Sequence, residues 1–341
     1  MKKIYVYCPG NVLSGGVYSL HNLCARLAEA GFQAGMVYHS IVSEILDHEH
    51  IRAYHVPSFV SVEDSSDNIL VVSETEIQFM HRFVHVKKMV YWLGLNNYFK
   101  KPPFRLPFNI KLFRKAIMCR NYYGYSAGFI ESCKRCISWW AKAKDVIWQE
   151  PVIHMSNSCY VAQCLHWKGI EQVHILHNPI QDEYYDEAGD PALKRQKVIF
   201  GPKTPKMLIA LCRWRFSFEI VRLKHLSPDL VKQHMKEAMV FAEFGNNSGR
   251  DRMPREAALL GCTVFANTRG SAAVNRDMPI PEHYKIPDKW INYPDIMRRL
   301  KYCVVHYESV KNDFREYVKA LEEERMNFPA EVKRIFTEIV G

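Results

Sequence analysis

The sequence of 341 residues lacks features that mark several other classes of protein. No apolar run is long enough for a transmembrane helix, and the short apolar start at 3–8 is ended by Pro9 and Gly10, which argues against a signal-peptide core. There is no low-complexity tract and no repeat of 20–50 residues. Without a membrane span or signal peptide, we expect a cytoplasmic protein. The length predicts two domains, and the 48% hydrophobic content is ordinary for globular ones.

Metal and disulfide signatures are also missing. The ten cysteines are scattered along the chain, as reduced thiols are. Cys133 and Cys136 have the spacing of metal ligands, but no second Cys or His pair is in register with them, so two free thiols on a helix are favoured. No Asp-x-Asp motif follows a predicted strand, which favours metal-independent chemistry if the chain is an enzyme.

Positive charge is concentrated in one segment. The formal net charge is +10, and residues 100–144 contain eleven Lys or Arg against one acid, Glu131. Trp, Tyr and Phe are interleaved with these cations. That composition suits an anionic membrane interface and equally a single-stranded nucleic acid. A solvated basic surface with a few buried aromatic residues is the third interpretation.

The order of predicted elements in the first half indicates an α/β fold. A strand at 3–8, a glycine loop, a helix ending at Gly31 and a strand at 34–39 form the basic unit of a parallel sheet. A helix is predicted at 156–168, with Ser156 as its N-cap. Further strands are predicted at 51–56, 68–73, 87–93, 145–149 and 173–176.

The same alternation restarts after a seam at 177–180. Strands are predicted at 197–201, 216–223, 239–244 and 262–267, with helices between them and two closing helices at 306–325 and 328–339. We therefore expect two doubly wound domains, 1–177 and 178–325, and a C-terminal helix at 326–341 that can pack back on the first domain. Such domains face each other across a cleft, with ligands at the carboxyl ends of the strands.

The stretch GRDRMPREAALLGC, residues 249–262, places charge at the start of a predicted helix. Five of its first eight residues are charged: Arg250, Asp251, Arg252, Arg255 and Glu256. Arginines oppose the positive end of the helix dipole unless an anion binds there. Glu256, one turn further, can accept two hydrogen bonds from a ribose diol. A solvated helix end with local ion pairs is the alternative.

Gly15 and Gly16, in SGGVYSLHNL, begin another predicted helix. Two glycines at a helix start let the backbone approach an anion. The spacing is not that of a dinucleotide fingerprint, and a simple tight turn is the alternative interpretation.

Three stretches spread over the chain carry a family resemblance. They are SGGVYSLHNLCARLAEAGFQAGMVY, VHILHNPIQDEYY and MVFAEFGNNSGRDRMPREAALLGCTVFANTRGS. Together they resemble GT-B-fold glycosyltransferases similar to glycosyltransferase family 4, and the third is closest to a bacterial polysaccharide-cluster subgroup. The resemblance implies two Rossmann-like domains and transfer of a sugar from a nucleotide-sugar to a glycan or lipid-linked acceptor. It also implies no cofactor beyond the nucleotide-sugar substrate.

The resemblance further implies roles for individual residues. Glu256 would hold the donor ribose, and the Lys203 and Lys206 ammonium groups would stabilise the departing diphosphate. The first glutamate of the family's E-x7-E pair falls on Ser248, so neither the donor-sugar contact nor the stereochemistry is implied. Gly15 and Gly16 would face the reacting centre. The full donor-binding set is Lys203, Lys206, Arg250, Arg252, Glu256, Gly270 and Ser271.

The residue carrying general-base catalysis is left open, because His21, Glu74, His154 and Asp182 are candidates by residue type alone. Other functions also stay open. A nucleotide-sugar epimerase would leave the basic segment 100–144 without a role, and a non-catalytic member of a glycan assembly complex would explain Ser248. A nucleic-acid-binding protein is disfavoured because it leaves 249–262 unexplained. A lipid-linked acceptor would place the enzyme at the inner face of a membrane.

Overall fold

The computed structural model describes residues 2–10, 14–38, 49–98, 151–187, 189–245 and 247–341. Three sequence-based predictions lie outside the described residues. They are the strand at 145–149, the basic segment 100–144 as an interaction surface, and the Cys133–Cys136 pair.

The first half contains a six-stranded sheet in which every pairing is parallel. The strand order is β2-β1-β3-β4-β5-β6, so the chain order reverses beside β1. In open sheets of this kind the ligand crevice lies at such a reversal. The strands are β1 (Lys3–Cys8), β2 (Gln33–Tyr38), β3 (Ile69–Ser73), β4 (Lys87–Trp92), β5 (Ile153–Ser156) and β6 (Val173–Ile175).

Helices cover this sheet because its strands are apolar on both faces. Ile4 and Val6 of β1 face one cluster, while Tyr5 and Tyr7 face the other. A sheet buried on both sides requires such runs of apolar residues. The helices are α1 (Gly15–Glu29), α2 (Glu49–Arg52), α3 (Leu95–Tyr98) and α4 (Cys159–His166), with a 3₁₀ helix at Ile77–Arg82.

The second half contains a four-stranded parallel sheet of order β10-β9-β7-β8. Its strands are β7 (Arg195–Phe200), β8 (Glu219–Arg222), β9 (Ala238–Glu243) and β10 (Thr263–Ala266). Its helices are α5 (Glu183–Asp186), α6 (Lys206–Arg215), α7 (Pro228–Glu237), α8 (Arg252–Leu259), α9 (Tyr293–Val305) and α10 (Tyr307–Val310). Short 3₁₀ helices occupy Pro191–Leu193, Ser271–Ala273, Glu282–Tyr284, Trp290–Asn292 and Lys311–Phe314.

A last helix, α11 (Arg315–Val340), joins the two halves. Tyr317 and Leu321 are buried in the second core, whereas Phe328 and Val332 are buried in the first. Burial at both ends holds the helix together through Pro329, although proline removes a helical hydrogen bond. The predicted break between 306–325 and 328–339 is therefore wrong. None of the helices in the described part of the chain combines the length and hydrophobicity needed to cross a bilayer.

The carboxyl ends of the two sheets meet. The loop before α8 packs against the loop after β4, where the Leu95 amide donates to the Ser248 carbonyl at 2.9 Å. Gly249 is needed here, because a Cβ on it would collide with the Leu93 carbonyl oxygen. The expected α/β class, with two doubly wound parallel sheets facing each other, is confirmed. The domain boundaries at 177 and 325 stay predictions.

The predicted strand at 51–56 is wrong. Residues 49–52 form α2, and His55 lies in the left-handed region at φ 47°. The chain pairs with β2 slightly later, where the Met36 amide donates to the Pro57 carbonyl at 2.8 Å. Alternating hydrophobicity does not distinguish this short helical turn from a strand.

The predicted helix at 156–168 is shorter than expected. Ser156 ends β5, and its hydroxyl donates to the Ser158 carbonyl at 2.7 Å. Ser158 is the N-cap, because its hydroxyl accepts from the Val161 amide at 3.1 Å. The pattern therefore predicted the correct kind of cap two residues too early.

Candidate functional site

A cavity of about 360 Å³ lies where the carboxyl ends of the two sheets meet. The first half contributes residues that follow β1, β3, β4 and β5, and the second half contributes the start of α8. Among the lining residues are Ser14, Gly15, Gly16, Glu74, Leu93, Asn157, Asn178, Arg250, Asp251, Arg252 and Arg255. The structure thus brings together the glycine pair, predicted to face the reacting centre, and Arg250 and Arg252, predicted for donor binding.

Two helix N-termini border the cavity. Ser14 precedes α1 and Asp251 precedes α8; neither side chain caps its helix, and neither first turn contains an acid. The first backbone N–H groups of a helix have no partner within the helix and carry partial positive charge. The two helix starts therefore place partial positive charge on the cavity wall, beside the carboxylates of Glu74 and Asp251.

Arg252 crosses from the second half to the first. Its guanidinium donates to Glu256 at 2.8 Å and to the Gln181 side-chain oxygen, and it lies 5.1 Å from the centre of the Tyr18 ring. A Cβ on Gly15 would lie 3.0 Å from the Arg252 Cδ. Glycine at position 15 therefore lets the arginine approach the start of α1.

The other two arginines of the motif are buried and bound within the protein. Arg250 makes two 2.7 Å contacts to the carboxylate of Glu324. Arg255 donates to the carbonyl oxygens of Asn178 and Arg250, at 2.7 and 2.9 Å. The contact of Arg250 with a donor stays a prediction. In this structure the Arg250 guanidinium is hydrogen-bonded to Glu324.

The remaining charged residues of the predicted donor site, Glu256, Lys203 and Lys206, do not line the cavity. Glu256 is 4% exposed, and its carboxylate forms an ion pair with Arg252. Lys203 forms an ion pair with Asp251. Lys206 is the exposed first residue of α6. The ribose and diphosphate roles of Glu256, Lys203 and Lys206 stay predictions, and a ribose on Glu256 would have to share it with Arg252.

Gly270 and Ser271 hold the loop that precedes α8. Gly270 has φ 67°, and the Ser271 amide donates to the Asn247 carbonyl at 2.9 Å. The Ser271 hydroxyl donates to the Gly249 carbonyl. Asn247 is fully buried, yet neither atom of its side-chain amide has a hydrogen-bond partner among the described residues. Direct contact of Gly270 and Ser271 with a donor stays a prediction.

Glu74 lines the cavity, unlike the other three general-base candidates. His21 lies in the core, between the Val17 carbonyl and the Tyr38 hydroxyl, and burial lowers its pKa. His154 accepts from the Trp92 indole at 3.0 Å, and burial lowers its pKa to about 4. Asp182 is exposed and pairs with Arg325 at 2.8 Å.

The Glu74 side chain is 2% exposed and follows β3. Its Oε2 accepts from the Leu93 amide at 2.8 Å, which fixes the carboxylate at the edge of the sheet. The position lies beside the glycine pair on the wall that belongs to the first half.

Glu243, at the end of β9, is a buried acid that the sequence analysis did not single out. Burial raises its pKa to about 7; the Lys203 charge and its backbone amide oppose this, and the Asp251 charge adds to it. A Cβ on Gly201 would collide with this carboxyl group. The sequence did contain a signal for this residue: it is an acid at the end of an apolar strand, directly before a glycine-containing loop.

One group of three side chains could offer metal ligands. Each of Cys159, His177 and Asp277 offers one ligand atom, and the three atoms lie within 4.8 Å of one another. Both carboxylate oxygens of Asp277 already accept backbone N–H bonds at the start of α4, at 2.7 and 2.8 Å. Burial lowers the pKa of His177 to about 3, and the nearby charge of Arg250 contributes. Such a positive environment disfavours a cation, and the predicted absence of a metal or cofactor stays a prediction.

No protein-family model matches the chain, and no curated protein matches it in sequence. Solved structures match nearly its whole length. Sucrose-phosphate synthase from Thermosynechococcus elongatus has a TM-score of 0.60 at 10% identity, with 99% of each chain covered. A glycosyltransferase from Rickettsia africae has a TM-score of 0.52 at 12% identity, covering 99% of this chain and 97% of that chain.

A third similar structure is HepE of Anabaena in complex with UDP, with a TM-score of 0.50, 11% identity and coverage of 100% of this chain and 99% of that chain. These likenesses define the class of fold. The chain has the GT-B arrangement of two Rossmann-like domains across a cleft, as predicted. The closer resemblance to glycosyltransferase family 4 stays a prediction.

The raised pKa of Glu243 predicts a pH-dependent stability. The folded protein keeps the proton up to about pH 7, whereas the unfolded chain loses it near the ordinary glutamate value. Its contribution to stability is therefore lost as pH rises between these values. We expect the stability advantage of Glu243→Gln over the wild type to grow by on the order of 2 kcal/mol between pH 5 and pH 8.

Urea unfolding at both pH values measures this difference. Glu323→Gln, a change at an exposed glutamate of α11, is the control and should give the same small difference at both pH values. A Glu243→Gln difference that does not change between pH 5 and pH 8 would contradict the assignment.

Proposed function

We propose that the protein is a glycosyltransferase that moves a sugar from a nucleotide-sugar donor to a glycan or lipid-linked saccharide acceptor in cell-surface polysaccharide synthesis. The observation that carries this proposal is the cavity between the two sheets, bordered by two helix N-termini and by Arg252. Such a site suits the diphosphate of a donor. The GT-B fold supports the proposal because the similar structures include a glycosyltransferase.

We propose a uridine diphosphate sugar as the donor. The support is the similar HepE structure, which is in complex with UDP. In this arrangement Lys203 and Arg252 stabilise the negative charge that develops on the leaving diphosphate. Glu256 takes the ribose hydroxyls once Arg252 turns from it toward the phosphates.

Donor binding is tested by thermal unfolding with UDP, GDP, CMP and dTDP. A nucleotide present at about a hundred times its dissociation constant adds roughly 2.7 kcal/mol of stability. We expect UDP to raise the melting temperature of the wild type and to have little effect on Glu256→Gln or Lys203→Gln.

Lys319→Gln, a change at an exposed lysine of α11, is the matched control and should respond to UDP like the wild type. If only another nucleotide raises the melting temperature, the donor belongs to the class of that nucleotide and not to the uridine diphosphate sugars. No shift with any of the four would count against the proposed site.

We propose that Glu74 is the general base. Its carboxylate takes the proton of the acceptor hydroxyl while that oxygen bonds to the anomeric carbon. The bond from the anomeric carbon to the diphosphate oxygen breaks in the same step, and the leaving group keeps the electron pair. Attack opposite the leaving group inverts the anomeric configuration. The support for this role is the position of Glu74 on the cavity wall.

Glu74→Gln should lower kcat by about 10²-fold or more, because a positioned base contributes 10²–10⁴-fold. Glutamine can still accept the Leu93 amide, so the UDP-induced thermal shift should persist. Rates measured with a UDP-sugar and an acceptor found by screening, with NMR of the product anomer, test this role. Full activity in Glu74→Gln, or a retained configuration, would exclude it.

A non-catalytic member of a glycan assembly complex is the second candidate function. The observation that favours it is Ser248, which stands where the resembling family has a glutamate and whose carbonyl bonds to Leu95. Nucleotide binding without sugar transfer to any acceptor would support this alternative.

A further inference from the structure

Exposed apolar side chains gather on one face of the second half. Trp214 and Trp290 are 83% and 73% exposed, and Ile291 and Met207 lie nearby with more than half of their surface in solvent. Large exposed apolar residues in contiguous patches mark interaction sites, whereas scattered ones need no explanation. The clustering of these side chains therefore indicates an interaction site.

The patch borders a groove of about 610 Å³ between α6 and the start of α9. Its floor is apolar, formed by side chains such as Leu211, Phe216 and Met297. The groove shares no lining residue with the cavity between the sheets. Lys206 starts α6 just after β7, and Trp214 lies eight residues later, about 12 Å along the axis.

The charges around the groove are almost all positive. Helices α6 and α9 together contain one acid, Asp295, which Arg298 and Arg299 bind. Arg215 and Lys301 line the groove and are exposed. The six basic residues of the two helices are Lys206, Arg213, Arg215, Arg298, Arg299 and Lys301.

We propose that this surface, formed by α6, the 3₁₀ helix Trp290–Asn292 and the start of α9, docks the protein on an anionic lipid bilayer. Tryptophan is enriched at the boundary between lipid headgroups and acyl chains, where its ring is buried and its N–H stays in contact with water. Lysine and arginine beside it bind anionic headgroups. The charge complementarity favours a negatively charged membrane over a neutral one.

The docking surface is formed by residues other than those that line the cavity. Lipid docking does not depend on the donor or on the transfer reaction, so its failure would leave the proposed function intact. Conversely, a protein that bound no nucleotide could still bind lipid through this face.

The experiment is sedimentation of the full chain with vesicles of phosphatidylcholine alone or with about a third phosphatidylglycerol. We expect binding to the anionic vesicles only, weakened by 0.5 M salt because screening shortens the range of the attraction. Trp214→Ala with Trp290→Ala, and separately Arg215→Gln with Lys301→Gln, should each weaken binding by about tenfold or more.

Trp167→Ala is the matched control, because Trp167 is 81% exposed on the first half of the chain. It should bind vesicles like the wild type. No wild-type binding to anionic vesicles would overturn the proposal. So would tryptophan variants that bind as well as the wild type, because binding would then come from another basic surface. Circular dichroism and the melting temperature measured without ligand verify that each variant is folded.

Discussion

Two buried guanidinium groups at the start of α8 tie this part of the chain to the connecting segment and to α11, the helix that packs on both halves. Arg255 is bound by carbonyl oxygens of the connecting segment and of the loop before α8, and Arg250 by Glu324 of α11. Removing one partner of a buried charge pair typically costs about 3–5 kcal/mol, since the other charge stays buried without compensation. The connecting segment, the loop and α11 are therefore constrained to one arrangement.

This constraint explains why charge begins a helix that is otherwise buried. Arg250 and Arg255 are structural ties, while Arg252 reaches the glycine loop of the first half. Together with the two uncapped helix starts, Arg252 borders a polar cavity between the two sheets. The interface between the halves and the proposed donor site thus use the same short stretch of sequence.

The sequence predicted the elements whose determinants are local. Strand β1, the glycine start of α1 and the start of α8 follow from apolar runs and helix-breaking residues. It did not predict which charged residues meet. Glu324 lies 74 residues from Arg250, and nothing near either residue indicates the pairing. The strand predicted at 51–56 was wrong for a related reason. The segment that pairs with β2 is set by a tertiary contact at residue 58, which local sequence does not indicate.

Hydrogen exchange of backbone amides with and without saturating UDP tests the central claim most directly, because the claim places one ligand between two helix starts. We predict slower exchange in peptides covering 14–20 and 250–256 together, with no change in α6 and α9. Unchanged exchange in both segments at millimolar UDP would contradict the account, as would protection confined to another part of the molecule.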